Sequence, residues 1–329
     1  MRALVVVAAA VAASSATYHP TAALAAQESS ADAVMWLQRI YTASDRLNYT
    51  GIFVYQRGDQ VKTSSIVHLV DSQGVHERLE TLDGAPSEVL RSNEEVKCYL
   101  PQTMTLKIDR QIGSRPFMGI RADPQELAKY YHIRKGETER IAGLECQAII
   151  FEPKDNMRYG HKLWVDVNSG MQLKAKTFDE NHELVEQFTF TQIQVGGRID
   201  KELVRSRYAG KGRDWRIERS GMVAADLASN GWLLGSLPPG YEKVTELKRN
   251  VGATADVGHI VVSDGLAAVS VFIEPLTDKV TQAPLGLSRQ GAANVYIKRL
   301  ANHLVTVVGE VPADSVKLIA NGVEFHPRQ

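Results

Sequence analysis

The residues that could carry out chemistry in this chain do not stand at the spacings that catalysis or metal binding requires. His76-Glu77 and His182-Glu183 resemble the start of a zinc-protease motif, but neither is followed by a second histidine one helical turn later. The sequence also lacks a G-x-S-x-G elbow, an S-x-x-K pair and a glycine-rich phosphate loop. We therefore predict a protein that is not an enzyme and that uses no metal and no cofactor.

The two cysteines have a different potential chemistry. Cys98 and Cys146 stand in the strand-like runs Glu95–Leu100 and Glu145–Phe151. In an exported chain they could form a disulfide, which would stabilise the fold by roughly 4 kcal/mol in the chain-entropy model. They could equally be two buried free thiols that pack as small hydrophobic groups. The sequence leaves both alternatives open.

The overall charge excludes one large class of partners. Lysine and arginine together number 38, as do aspartate and glutamate, so the 329-residue chain has no net field that would attract nucleic acid. Charged recognition must therefore be local.

The N-terminus has the three parts of a secretory signal peptide. Met1-Arg2 precedes the apolar run Ala3–Ala13, and small residues follow at 22–26. We expect cleavage of residues 1–26. The apolar run is too short for a permanent membrane span. The mature chain is thus predicted to be soluble in a bacterial periplasm.

The elements that position the apolar side chains begin with a strand at Tyr49–Tyr55, whose two faces are both largely apolar. Turn signals at short intervals up to Val195 predict an antiparallel meander that curves over an amphipathic helix at 31–47. Apolar residues on both faces suit either a lipid-sized cavity or an ordinary two-sided core strand. The candidate lipid-binding residues are Phe53, Tyr55, Phe117, Met118 and Trp164.

The meander is interrupted at 109–143. An apolar loop there is followed by a short helix that Asp123 caps and Pro124 begins. This segment is interpreted as a lid over the mouth of the sheet or as a permanent plug of its interior.

Glycine and charged residues then mark a linker. We predict a large domain at 27–205, a linker at 206–225 and a small α+β domain at 226–329. In the small domain Asp264-Gly265 suits a two-residue hairpin turn, and a final helix ends before Gly322.

Several motifs resemble one known family. The run Y-x-G-x-F-V-Y-Q-R-G at 49–58 is similar to the RseB/MucB regulators of envelope-stress sigma factors, and so are Cys98-Tyr99-Leu100-Pro101, Arg158-Tyr159-Gly160 and Leu163-Trp164-Val165-Asp166. The most specific run is Val261–Glu274 in the small domain. The resemblance covers most of the mature chain.

The resemblance implies an α+β fold with a large LolA/LolB-like unclosed antiparallel β-barrel packed on helices, plus a smaller C-terminal α+β domain. It implies a periplasmic negative regulator that binds the periplasmic domain of an RseA/MucA-like anti-sigma factor and protects it from regulated proteolysis. Lipopolysaccharide or another acylated lipid would release the regulator, and alginate or exopolysaccharide synthesis would be restrained.

For the anti-sigma partner we predict contacts on the small-domain hairpin, at Val261, Leu266, Val269, Val271 and Phe272. Two rival functions stay open: a periplasmic lipid or lipoprotein carrier, and an envelope hydrolase with no motif visible in the sequence. The sequence also leaves open whether the chain forms a homodimer.

Overall fold

The structure is a computed structural model, and it describes residues 32, 35–43, 46–110, 123–210, 214–219, 221–251, 254–276 and 284–327. The predicted signal peptide at 1–26 lies outside the described residues. Phe117 and Met118 of the predicted lid also lie outside them.

A twelve-stranded sheet forms the large domain. In chain order its strands are β1 (Tyr49–Arg57), β2 (Gln60–Asp71), β3 (Gly74–Thr81), β4 (Glu88–Ser92), β5 (Glu95–Leu100), β6 (Thr105–Arg110), β7 (Tyr131–Ile141), β8 (Leu144–Pro153), β9 (Gly160–Asp166), β10 (Gln172–Phe178), β11 (Leu184–Val195) and β12 (Arg216–Arg219). Their order in the sheet is β12-β6-β5-β4-β3-β2-β1-β11-β10-β9-β8-β7, and only the β12–β6 pair is parallel. Because β12 and β7 lie at opposite ends, the sheet is unclosed, as predicted.

Tight turns fix the register of neighbouring strands. Gly74 begins β3 with a φ of 121°, which a residue with a Cβ rarely adopts. A methyl group at this position would overlap the Asn93 amide, whose oxygen accepts a hydrogen bond of 3.0 Å from the Val75 amide. The turn before β3 is therefore joined to the turn between β4 and β5.

Two helices cover one face of the β7–β9 part of the sheet. Helix α1 (residues 35–43) buries Leu37 and Ile40, and helix α2 (Pro124–Tyr130) buries Leu127, each only 1% exposed. These side chains share a core cluster with Leu163 of β9. The Asp123 carboxylate accepts a hydrogen bond from the Gln125 amide, which confirms the predicted cap. In the described part of the chain no helix is long and apolar enough to cross a membrane.

Strand β7 corrects the interpretation of 109–143 as an interruption. The segment Tyr131–Ile141 pairs along β8 as an edge strand. Five of its eleven residues are charged, because one side of an edge strand faces water and needs no apolar residues. Strong alternation, on which the prediction depended, is therefore absent from this strand.

A seven-stranded antiparallel sheet forms the small domain. After β12 the chain forms β13 (Val223–Ala224), β14 (Trp232–Leu234), β15 (Glu242–Val251), β16 (Thr254–Ser263), β17 (Ala268–Pro275), β18 (Gly286–Gln290), β19 (Ala293–Leu300), β20 (His303–Gly309), helix α3 (Ala313–Asn321) and β21 (Val323–Phe325). The sheet order is β13-β15-β16-β17-β20-β19-β18, while β14 pairs separately with β21. Helix α3 packs on one face, where Val316 and Ile319 join a core with Val262 and Val307.

The turn between β16 and β17 differs from the predicted two-residue turn. Ser263 pairs with Ala268, so four residues form the connection. The Asp264 carboxylate accepts hydrogen bonds from the Leu266 and Ala267 amides, at 3.0 and 2.9 Å. The side chain thus satisfies backbone groups of a longer turn, which is a local role that aspartate often plays.

The two cysteines are free thiols, which overturns the disulfide alternative. Cys98 lies on β5 and Cys146 on β8, and seven strands of the sheet stand between them, namely β4, β3, β2, β1, β11, β10 and β9. Cys146 is fully buried in the core of the large domain. Burial raises the pKa of the Cys146 thiol to about 11, so it stays protonated at neutral pH.

The chain between the domains folds back onto the large sheet. Ser206 donates a hydrogen bond to Glu88, which also forms a buried ion pair with Arg78 at 2.7 Å. Further along, the rings of Tyr208 and Trp215 lie 6.1 and 5.9 Å from the ring of Tyr99. The segment predicted as a linker, 206–225, is therefore anchored to β3–β6 before it enters the small domain.

Candidate binding surfaces and the domain contact

Phe53 and Tyr55 lie on the helix-covered face of the large sheet. The register places Tyr55, Phe188, Ala175 and Leu163 in one row across β1, β11, β10 and β9, and directly paired residues share a face. Leu163 and Ala175 pack with the cluster around helix α1. The two predicted residues therefore point toward the covered, concave side of the sheet.

Three phenylalanines form an aromatic cluster on this face. The centroid of the Phe53 ring lies 4.9 Å from that of Phe188 and 5.9 Å from that of Phe190. Phe53 is 5% exposed, so the cluster is closed in this structure. Tyr55 is half-buried, and its hydroxyl donates a 2.6 Å hydrogen bond to Glu186. An acyl chain could reach Phe53 only after this cluster opens.

Trp164 shares a buried core cluster with Phe53, and Tyr55 packs against that cluster, but the register places the Trp164 side chain on the other face of the sheet. The neighbouring row runs from Val54 through Thr189 and Lys174 to Trp164. The Lys162 and Lys174 ammonium groups lie 4.7 and 4.3 Å from the Trp164 ring centroid. Trp164 is thus a buried tryptophan with two cation–π neighbours on the opposite face.

The five predicted partner-binding residues do not form one surface either. Val269 and Val271 are fully buried in the small-domain core beneath α3, so neither side chain can meet a partner in this structure. Leu266 packs against the core cluster of the large domain. Val261 and Phe272 lie on the other face of the sheet and are only partly buried. The five side chains therefore lie in three different environments: the small-domain core, the contact with the large domain and the other face of the small sheet.

The face that carries Val261 and Phe272 also carries Thr245, His259 and Ser270. The Phe272 ring stacks on His259 with a centroid distance of 4.3 Å. Burial, together with the nearby charge of Arg249, lowers the pKa of His259 to about 4. The stacked histidine is therefore neutral near pH 7.

The tip of the β16–β17 hairpin is inserted into the large domain. The Asp264 carboxylate, whose side chain is fully buried, accepts a 2.7 Å hydrogen bond from the Tyr131 hydroxyl. It also forms a 3.1 Å ion pair with the guanidinium of Arg158, which is fully buried too. The turn that carries Leu266, one of the five predicted partner-binding residues, therefore forms an intramolecular contact between the domains.

The guanidinium of Arg158 is enclosed by acceptors and aromatic rings. It pairs with Asp155 at 3.0 Å and donates a further hydrogen bond to the Pro239 carbonyl. It lies 4.8, 5.4 and 5.4 Å from the ring centroids of three tyrosines, namely Tyr130, Tyr131 and Tyr241. Burial alone would lower the pKa of Arg158, but the Asp155 hydrogen bond and the Asp264 charge raise it overall, so the group stays charged.

Smaller contacts complete the interface. The Ser315 hydroxyl at the start of α3 donates a 2.6 Å hydrogen bond to the Met157 carbonyl. Gly240 has a φ of 79°, and a methyl group there would overlap the Tyr130 ring. Because backbone and ring approach so closely at this point, only glycine fits.

The sequence analysis missed Arg158 and Asp264 as a pair. Both residues stand in the motifs quoted for the family resemblance, but one motif precedes a strand and the other is a hairpin turn. An aspartate in a turn is an ordinary local feature. Its bond to Arg158, which lies 106 residues earlier in the chain, leaves no pattern in a single sequence.

The described residues form no group of histidine, cysteine, aspartate and glutamate that could hold a metal ion. Three of the buried polar residues, Arg158, Asp264 and Ser315, join the two domains. Fold and contacts together define a two-domain protein with a concave, helix-covered large sheet and a small domain that is docked by charged groups.

Comparison with known proteins identifies the group within this class. The MucB/RseB N-terminal domain model matches residues 32–208, and the MucB/RseB C-terminal domain model matches residues 226–324. The chain therefore belongs to the MucB/RseB family.

Two characterised relatives span nearly the whole chain. The sigma factor AlgU regulatory protein MucB of Pseudomonas aeruginosa is 33% identical over 299 residues, covering 88% of this chain and 90% of that protein. The sigma-E factor regulatory protein RseB of Escherichia coli K12 is 26% identical over 298 residues, covering 89% and 91%. These relatives are regulatory proteins.

Solved structures agree over both domains. The P. aeruginosa MucA/MucB complex matches with a TM-score of 0.69 and 30% identity, covering 90% of this chain and 100% of that chain. A crystal structure of MucB matches with a TM-score of 0.67 and 30% identity, covering 90% and 98%.

Proposed function

We propose that this chain is a periplasmic negative regulator that binds the periplasmic segment of a MucA- or RseA-like anti-sigma factor. The observation that carries the proposal is the match, over both domains, to a MucB chain whose structure contains MucA. A likeness limited to the large domain would fit a lipid carrier equally well, but the match includes the small domain, at residues 226–324.

The regulator would act by covering the anti-sigma segment and thereby shielding it from regulated proteolysis. Lipopolysaccharide or another acylated lipid would release it and so free the sigma factor. For lipid to displace a peptide without sharing its site, the two ligands must prefer different states of the protein. In a host that makes alginate or a related exopolysaccharide, loss of this chain would raise its synthesis.

The two ligands have separate candidate surfaces. For lipid we propose the helix-covered face with Phe53 and Tyr55, where the closed phenylalanine cluster would have to open to accept an acyl chain. For the anti-sigma segment we propose the face of the small sheet with Val261 and Phe272, where the Phe272 ring stacks on His259. Trp164, Val269 and Val271 are omitted because their side chains lie elsewhere.

Calorimetry tests the proposal directly. The mature chain, without residues 1–26, is titrated with the periplasmic segment of its host's anti-sigma factor, with and without lipopolysaccharide. We expect saturable one-to-one binding that lipopolysaccharide weakens at least tenfold.

Two controls are needed to interpret the binding measurement. Circular dichroism must show that the chain is folded, and a detergent of matched chain length must be compared with lipopolysaccharide. If a folded chain binds no anti-sigma segment but copurifies with lipid, the carrier function replaces this proposal. If turnover appears in a hydrolase screen, a regulator without catalysis is excluded.

A further inference from the structure

A second charged contact joins the two domains at some distance in sequence from Arg158 and Asp264. Glu310 of the small domain, which follows β20, forms an ion pair with Arg57 at the end of β1. Glu186 on β11 is the cross-strand partner of Arg57, and directly paired residues share a face of the sheet. Two carboxyl groups from different domains therefore meet at one arginine.

The local geometry leaves one positive charge for two acids. The Glu310 side chain is 21% exposed, whereas the Arg57 side chain is 43% exposed, so solvent partly screens the charge of Arg57. The Glu186 carboxylate is already held by the Tyr55 hydroxyl at 2.6 Å and by the Thr177 hydroxyl at 3.3 Å. A hydrogen bond between two carboxyl groups needs a proton on one of them.

We infer that the Glu310–Glu186 contact is a proton-dependent latch between the domains, which closes in acid and loosens as the pH rises. The shared proton makes the contact a hydrogen bond, and its loss leaves two negative charges side by side. When the domains separate, each carboxyl group returns to water and the repulsion disappears.

The direction of the effect follows from the titration of the docked state. Burial and, next, the negative charge of Glu186 together raise the pKa of Glu310 from its ordinary value of 4.5 to about 7, although the charge of Arg57 opposes them. Because the pKa is higher when docked than when separated, docking is strongest below pH 4.5 and weakens as the pH rises through 7. The docking equilibrium constant should fall by up to about 300-fold over this range.

The other groups that face this contact do not reproduce the effect. Tyr55 from β1 titrates far above this range, because burial and the Glu186 hydrogen bond raise its pKa. His161 from β9 lies near Glu186, and burial lowers its pKa below 6.5. Protonation of a buried histidine whose pKa is lowered destabilises the state in which it is buried. Protonation of His161 would therefore weaken the contact in acid, whereas protonation of Glu310 strengthens it.

The first measurement is the titration of Glu310 in the intact mature chain by carbon-13 NMR of the glutamate side-chain carboxyl groups. The Glu310→Gln variant identifies its signal. We expect a midpoint near 7, which falls toward 4.5 in Glu186→Gln because the repelling charge is gone. A midpoint near 4.5 in the unchanged chain overturns the inference.

The second measurement follows domain separation. Fluorescence energy transfer is recorded between dyes on genetically encoded residues at Leu82 and Leu287, which are 49% and 46% exposed. The measurement is made from pH 4.5 to 8 in an Asp264→Asn background, which weakens the other charged contact. Docking should decrease as the pH rises and should become independent of pH in this range when Glu310→Gln is added.

The two measurements separate the outcomes. Asp264→Asn could separate the domains at every pH. In that case Glu310 of the variant should titrate near 4.5, because it is no longer docked against Glu186. A midpoint that stays near 7 in the separated variant overturns the inference. A pH-dependent separation that persists in the variant with both changes also overturns it. Neither measurement includes an anti-sigma segment or lipid, so the result is independent of the proposed function.

Discussion

Replacing Asp264 with asparagine tests whether the buried charge pair holds the two domains together. Asparagine keeps an oxygen for the Leu266 and Ala267 amides, so the hairpin turn is retained. It removes the negative charge that faces the Arg158 guanidinium, and both side chains are fully buried. The substitution therefore isolates the contact between domains from the local turn.

The magnitude follows from the groups that remain. Removing one partner of a buried ion pair costs about 3–5 kcal/mol because the other charge is left uncompensated. Arg158 keeps Asp155, which is 28% exposed, and the Pro239 carbonyl. We therefore expect a loss near the lower limit, about 3 kcal/mol.

Urea unfolding of the mature chain, followed by tryptophan fluorescence and by far-ultraviolet circular dichroism, provides the assay. Asp264→Asn should lower the first midpoint and separate the unfolding of the two domains. Glu152→Gln is the matched control, because its pair with Arg134 is about half exposed and should contribute less than about 1 kcal/mol.

A double-mutant cycle then isolates the pair. Arg158→Met combined with Asp264→Asn removes both fully buried charges, and only the partly exposed Asp155 loses a partner. The double variant should therefore be more stable than the sum of the single changes predicts. The reasoning is refuted if Asp264→Asn costs no more than Glu152→Gln, or if the two changes are additive.

Three further predictions use other parts of the molecule. Val269→Asp should prevent folding, because it places a charge in the core of the small domain. Phe272→Asp should fold normally by circular dichroism but weaken anti-sigma binding in calorimetry at least tenfold. Equal effects of the two substitutions would refute the assignment of Val269 to the core and of Phe272 to the binding face. A reducing agent should leave the melting temperature unchanged in calorimetric scans, because both thiols are free, and a drop of several degrees would reveal a disulfide. Gly240→Ala should destabilise domain docking by about 1–3 kcal/mol, seen as a lower first urea midpoint, and a neutral result would show that the close approach to Tyr130 is dispensable.

The strands of the large sheet were predictable because turn residues and apolar alternation are local signals. The meander, the Asp123 cap and the division into two sheets were all correct for this reason. Strand β7 was missed because an edge strand needs few apolar residues. The pairing of Cys98 and Cys146 was undetermined because strand order within a sheet depends on contacts that are distant in sequence.

The candidate site was predicted less well than the fold, and Trp164 shows why. Residue types alone assigned Trp164 and Phe53 to one cavity, but they stand on different strands and only the register decides which face each occupies. Beta-bulges, such as the one between Gln172 and Lys174, shift that register by one residue. A shift of one residue moves a side chain to the other face, and the sequence carries no clear sign of it.

The chemistry of the domain contact favours a fixed but separable arrangement. A large apolar interface would join the domains permanently, whereas here Arg158, Asp264 and Tyr131 form a buried polar centre. The desolvation of two charges offsets most of their attraction, so such a centre contributes more to a defined orientation than to strength. A ligand with a few kcal/mol of differential affinity, or the loss of one shared proton at Glu310, is then sufficient to shift the population of domain arrangements.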